Sequence, residues 1–244
     1  MRIKLKSAAA GLAALFVLLT AQAKTSHAGF DPDNQLWMRI MLSAQLTKMF
    51  TAYAWTDLRF GDDVSEAAYI HAETGLQANV YKGLLVGMFY RQVFNYNSKY
   101  YDADDNLIKA WDAQYEPGWF LGLRLNPGRI VFLDLVRMTV PVFDNDADTE
   151  FRLRHVSMLG LIVPRKQPKM TLVYMKSIQE FTLHPNACYR ENRLMIGLMV
   201  PVKNILDIDI FYMWVRTKHD GRFYDSLSLG LGFYIKVWSK KAPD

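Results

Sequence analysis

The stretch that most constrains this chain is residues 226–238, S-L-S-L-G-L-G-F-Y-I-K-V-W. Side chains of an extended chain alternate with a period of two, so Leu227, Leu229, Leu231, Phe233, Ile235 and Val237 share one face, while Ser226, Ser228, Gly230, Gly232, Tyr234 and Lys236 share the other. A helix would scatter both sets around its axis. Tilted, a segment of this length crosses a bilayer with one face in hydrocarbon and the other in an enclosed interior, as a transmembrane β-barrel requires.

The other end of the chain reads as an export signal. Arg2, Lys4 and Lys6 precede an apolar run over 8–19, followed by small residues at Ala21, Ala23, Ser26 and Ala28. The run is too short for a membrane-spanning helix, and cleavage after Ala23 or Ala28 fits the small-x-small rule. A leader over 1–28 and a single barrel domain over 29–244 are therefore expected. Four of the 29 basic residues (Arg2, Lys4, Lys6 and Lys24) lie in that leader, leaving 25 against 24 acidic ones. A near-neutral mature chain is not a nucleic-acid footprint. The lone Cys188 excludes an internal disulfide framework, and aromatic content of 14% suits the interfacial girdles of a barrel.

Between these ends the alternation recurs. Residues 36–46 place Leu36, Met38, Ile40 and Leu42 opposite Trp37, Arg39, Met41 and Ser43; 70–80 place Ile70, Ala72, Thr74 and Leu76 opposite His71, Glu73, Gly75 and Gln77. Strands are likewise expected over 50–60, 84–94, 117–126, 130–142, 151–163, 170–183, 192–200 and 206–216. Short turns at Tyr81-Lys82-Gly83, Asn126-Pro127-Gly128 and Lys203-Asn204 interleave with polar loops over 95–116, 144–150, 184–190 and 218–224. The fold class is all-β: an antiparallel transmembrane β-barrel of about 10 to 12 strands, with short periplasmic turns and longer external loops. The segments number about eleven, whereas single-chain bacterial barrels have an even count, so ten or twelve is expected.

The string Leu58-Arg59-Phe60-Gly61-Asp62-Asp63, followed by Tyr69, His71, Gly75 and Tyr90-Arg91-Gln92, resembles an exported bacterial family catalogued as domain of unknown function 2490. The resemblance extends over about 35–238 and includes Glu116-Pro117, Arg152-x-Arg154 and Asn192-Arg193. It implies an outer-membrane barrel and no chemistry. Gly118 and Trp119 depart from the family pattern, as does the polar tail over 239–244.

Mid-strand ionisable groups cost roughly 2 to 4 kcal/mol for Arg or Lys against hydrocarbon at the midplane, so they are expected to face the lumen. These are Arg39, Asp57, Arg59, His71, Glu73, Arg91, Arg124, Arg152, Arg154, Arg193, Asp207 and Asp209. Two readings of them stand side by side: an interlocking plug, or a charged pore lining that selects small solutes. A barrel of ten to twelve strands, between packed and open sizes, favours the plug.

The leading expectation is thus an outer-membrane protein acting as a narrow passive channel or a structural membrane element. Its partners would be outer-membrane lipids, lipopolysaccharide and the barrel-assembly machinery, which would read Ser228, Gly230, Phe233 and Ile235 of the last strand. One alternative is a lipid-modifying enzyme: His155 and Ser157 share a strand face with a His-x-Ser spacing that resembles the pair of lipid A deacylating barrels, with Glu150 or Glu180 as candidate orienting carboxylates. Catalysis is not the expectation from that pair alone. Another alternative, a soluble periplasmic ligand-binding barrel, conflicts with the apolar face of the last strand. The acids Asp144, Asp146, Asp148 and Glu150 have the opening spacing of a calcium loop but lack its glycine and distal glutamate, and no His/Cys/Asp group has metal-ligand spacing, so no cofactor is expected. Strand alternation is the same for one copy or several and fixes no oligomeric state.

Overall fold

The computed structural model describes residues 34–61, 66–101, 107–143, 150–164, 171–184, 188–203, 205–219 and 222–239. The expected leader, the acids at 102–105 and 144–148, and the tail beyond 239 lie outside the described residues.

Every regular element described is a strand: β1 (Asn34–Gln45), β2 (Phe50–Gly61), β3 (Glu66–Tyr81), β4 (Leu84–Tyr101), β5 (Leu107–Leu125), β6 (Ile130–Thr139), β7 (Val142–Phe143), β8 (Phe151–Val163), β9 (Thr171–His184), β10 (Cys188–Lys203), β11 (Leu206–His219) and β12 (Arg222–Ser239). They form one sheet in the order β4-β3-β2-β1-β12-β11-β10-β9-β8-β6-β5, and β5 returns to pair with β4, so the sheet closes. β7 is a two-residue continuation of β6 along β5, past a break at Val140 and the buried Pro141, which has no N–H for the ladder. Eleven long strands therefore make the barrel.

Eleven agrees with the about eleven segments read from sequence and lies within the expected 10 to 12; what fails is the argument for an even number, and one seam departs from the antiparallel pattern. With an odd number of up-and-down strands the first and last run the same way, so β1 and β12 pair in parallel, Asn34 beside Leu227 and Gln45 beside Ser239. All other ladders are antiparallel. The partner of the closing strand is thus the first strand, and Asn34 starts at the rim opposite Ser239.

One rim carries the tight turns. Lys82 and Gly83 both have positive φ, 39° and 93°, the two-residue hairpin geometry whose twist matches the flanking strands. At the far rim the expected loop over 95–116 is overturned, because β4 and β5 stay paired out to Tyr101 and Leu107. The expected loop over 184–190 shrinks likewise to a gap between His184 and Cys188. Polar composition hid these extensions: a hairpin that satisfies its own backbone hydrogen bonds beyond the barrel needs no apolar face.

The inward faces fill the lumen. Trp37, Val156, Tyr174, Ile178, Met195, Phe211, Met213 and Val215 form one buried cluster, and Leu85, Phe89 and Phe120 another, with Leu135 packed against both. Glycines on the inward face make room for the neighbouring ring: Phe211 lies over Gly230, Tyr174 over Gly197 and Phe120 over Gly87. The outward face is apolar and exposed, with Met88 67%, Ile196 58%, Leu121 54%, Leu159 54% and Leu161 52% accessible. Among the described residues no helix is long and apolar enough to cross a membrane.

Candidate functional site

Two places concentrate polar chemistry: the lumen and one patch of the outer wall. In the lumen, cross-strand register brings opposite charges together. Arg39 on β1 faces Asp57 on β2 and donates Nε–H and Nη2–H to its two oxygens at 2.6 and 2.7 Å, a bidentate pair buried on both sides. His71 on β3 stands 3.9 Å from the same carboxylate and accepts or donates at Nδ1 with the Tyr69 hydroxyl at 3.0 Å.

Glu73 on β3, Arg91 on β4 and Glu116 on β5 lie in one register row. Arg91 donates to Glu116, as does Gln114, and Arg152 from β8 reaches the same carboxylate at 2.9 Å. Arg137 on β6 crosses the lumen to Glu73 at 2.6 Å, and the Tyr53 hydroxyl donates to Glu73 at 3.1 Å. Arg137 and Arg154 are direct cross-strand neighbours of like charge, tolerated because each has its own anion: Glu73 for Arg137, and Glu180 for Arg154, whose Nε lies 2.8 Å away. The space between Arg91, Arg137, Arg152, Arg154 and Glu180 is too tight to seat a water molecule.

Aromatic faces hold the remaining guanidiniums. Arg59 is clasped between Trp37 and Tyr69, 3.6 and 3.8 Å from the ring centroids, Arg137 lies 4.0 Å over Phe89, and Arg193 shares Trp37 at 5.0 Å while donating to Glu191. In one register row with Arg39, across Gly232, Asp209 accepts from Tyr174 at 2.8 Å and Tyr234 at 3.3 Å.

Of the residues assigned to the lumen from sequence, Arg39, Asp57, Arg59, His71, Glu73, Arg91, Arg152, Arg154, Arg193 and Asp209 are in it. Asp207 sits near its edge, 3.2 Å from the exposed Lys236. Arg124 is a correction: its parity is inward, but it falls one residue from the end of β5 and is exposed at the turn rim, where water solvates it. Sequence reasoning missed Glu116, assigned to a loop, and Arg137, whose strand is apolar on both faces and so carries no alternation signal. Glu180 and Glu150, considered as partners for His155, instead bond Arg154 inside and Arg152 and Arg190 near the far rim.

The second place lies on the outer wall. His155 and Ser157 do share a face of β8, and that face points outward, between the inward Arg154, Val156 and Met158. Asp134 on β6, directly across from Ser157, points outward too, and His155 Nε2 lies 2.7 Å from its Oδ1. The pair is partly exposed, 38% and 44%. On β9, Ser177 stands across from Ser157 and Gln179 across from His155. Apolar side chains bracket this group along the strands, Val136 on β6, Phe151, Leu159 and Leu161 on β8, Met175 and Leu183 on β9. Alternation could not reveal Asp134, because only the β6–β8 register brings it beside His155.

A family model described as a protein of unknown function, DUF2490, matches residues 34–226. The chain belongs to the DUF2490 family. The match begins at the first residue of β1 and ends inside β12, so it spans the barrel strands, the last of them in part. No curated protein and no solved structure matches the chain.

Proposed function

We propose that this DUF2490 protein is an outer-membrane barrel of a Gram-negative envelope, exported by the 1–28 leader and sealed through its lumen, so that it acts at its lipid-facing wall and not as a passive channel. The observation that carries the sealed reading is the packing of rings over glycines at one level and of interlocked guanidinium–carboxylate pairs at another. The membrane reading is supported by the exposed apolar wall, which water would not tolerate uncovered and which makes a soluble periplasmic ligand barrel the weaker reading. Lipids and lipopolysaccharide would contact that wall, and the assembly machinery would read β12.

Two measurements test this. The protein should fractionate with outer membranes and migrate faster on gels unheated than boiled; a soluble product without that shift would overturn the membrane reading. Refolded into planar bilayers, it should give no unitary current, and steady unitary conductance would overturn the sealed lumen.

A further inference from the structure

We propose that Asp134, His155 and Ser157 form an acyl-ester hydrolase site on the lipid-facing wall, acting on the fatty-acyl esters of membrane lipids. The inference rests on the membrane reading above. A carboxylate and an imidazole within an apolar wall are costly residents of a lipid-facing surface, and ionisable groups so placed mark function. Exposed Val136, Phe151, Leu159, Leu161 and Met175 surround the pair with apolar surface.

The geometry assigns roles. Asp134 pairs in register with Ser157, whereas His155 pairs with Val136, so the 2.7 Å His155–Asp134 contact is diagonal and draws the imidazole toward the Ser157 position. With Nε2–H donated to Asp134, Nδ1 keeps the free lone pair, and the next residue on that face is Ser157. The three side chains thus supply a nucleophile, a base and an orienting carboxylate, the roles that activated serine chemistry needs, recognised by role and not by chain order. Ser177 and Gln179 place a hydroxyl and a carboxamide beside the pair, donors for an oxyanion and anchors for water.

Ser157 Oγ adds to the ester carbonyl carbon as its proton passes to His155. The bond to the alcohol oxygen breaks, and that oxygen leaves with the proton from His155. Water, deprotonated by His155, adds to the acyl-serine; the carboxylic acid departs as Ser157 Oγ regains its proton. The net change is ester plus water to acid plus alcohol. No lumen access is required, since membrane lipids already lie against the wall.

The test uses the full chain in vesicles of phosphatidylethanolamine and phosphatidylglycerol, and in the same vesicles carrying lipopolysaccharide, to separate the two sources of acyl ester. Fatty-acid release is read by mass spectrometry, insertion by flotation, and serine reactivity by a fluorophosphonate mapped to its peptide. The wild type should release fatty acid in at least one composition and be labelled at Ser157. Ser157→Ala and His155→Ala should lose at least about 100-fold in rate, and Asp134→Asn about 10- to 100-fold, with flotation and heat-shifted migration unchanged because all three side chains lie outside the packed lumen. Inserted wild type that releases no more fatty acid than Ser157→Ala in both compositions, or that is labelled only elsewhere, overturns the site alone. A chain that does not float with vesicles overturns the membrane reading and the site with it.

Discussion

Replacing Glu116 by alanine should lower the unfolding free energy of the refolded barrel by about 3–5 kcal/mol, the loss expected when one partner of a buried charge cluster is deleted. Glu116 is 1% exposed and collects Arg91, Arg152 and the Gln114 amide on one carboxylate. Its removal leaves Arg91 and Arg152 without the anion they share, and neither can shed its charge. Arg152 retains Glu150 at 2.8 Å, so the larger part of the loss falls on Arg91, whose Nε already lacks a hydrogen-bond partner. Glu116→Gln keeps the volume and one acceptor and should cost less than alanine. Urea unfolding in detergent or vesicles, followed by tryptophan fluorescence, measures both. In a double-mutant cycle, Arg152→Met added to Glu116→Ala should cost less than the sum of the single changes. Strict additivity, or a loss below about 1 kcal/mol for Glu116→Ala, would show that the cluster is not the coupled network its geometry describes.

The lumen explains which parts of the fold were legible from sequence. Where one strand face was apolar and the other polar, as over 36–46, 70–80, 84–94 and 226–238, parity named both the wall and the inward side chains, and Arg39, Glu73 and Arg91 were found that way. Where both faces were apolar, as in β6, parity had nothing to separate, and Arg137 was missed although it crosses the lumen to Glu73. Where both faces were polar, as in the far ends of β4 and β5, paired strands looked like a loop. The same blindness hid the outer-wall carboxylate. His155 and Ser157 were visible as a spacing, but Asp134 lies 21 positions earlier, and only the β6–β8 register joins it to them.

The closure of the barrel was illegible for a different reason. Alternation counts segments but does not say how the last meets the first, and the preference for even counts reflects the simpler antiparallel closure. Here the parallel seam sets Trp37 against Gly230 and Arg39 against Gly232. Both pairings put a large β1 side chain beside a bare position on β12, so the seam is held by packing and by the Arg39–Asp57 pair as well as by its backbone ladder.

Gly230→Val at this seam should destabilise the barrel by about 3 kcal/mol, the upper part of the range for overpacking a filled core. The Phe211 ring lies where a Cβ on residue 230 would be, and it cannot retreat easily: Phe211 is 2% exposed in a cluster with Trp37, Tyr174 and Met213. Displacing the ring therefore disturbs β1, β9 and β11 together, and it does so on the strand that closes the sheet. Phe211→Ala alone should cost about 3–5 kcal/mol through the cavity it leaves. Combined, the two changes relieve each other, since the valine occupies part of the space vacated by the ring. The double variant should be more stable than the sum of the singles by at least about 1 kcal/mol, with the heat-shifted band recovered in part. Equal stability of Gly230→Val and wild type would mean that the ring does not rest on Gly230. If the penalty persists unchanged in the Phe211→Ala background, the fault lies in the parallel ladder of β1 and β12, and the seam depends on the backbone of residue 230 more than on what packs against it.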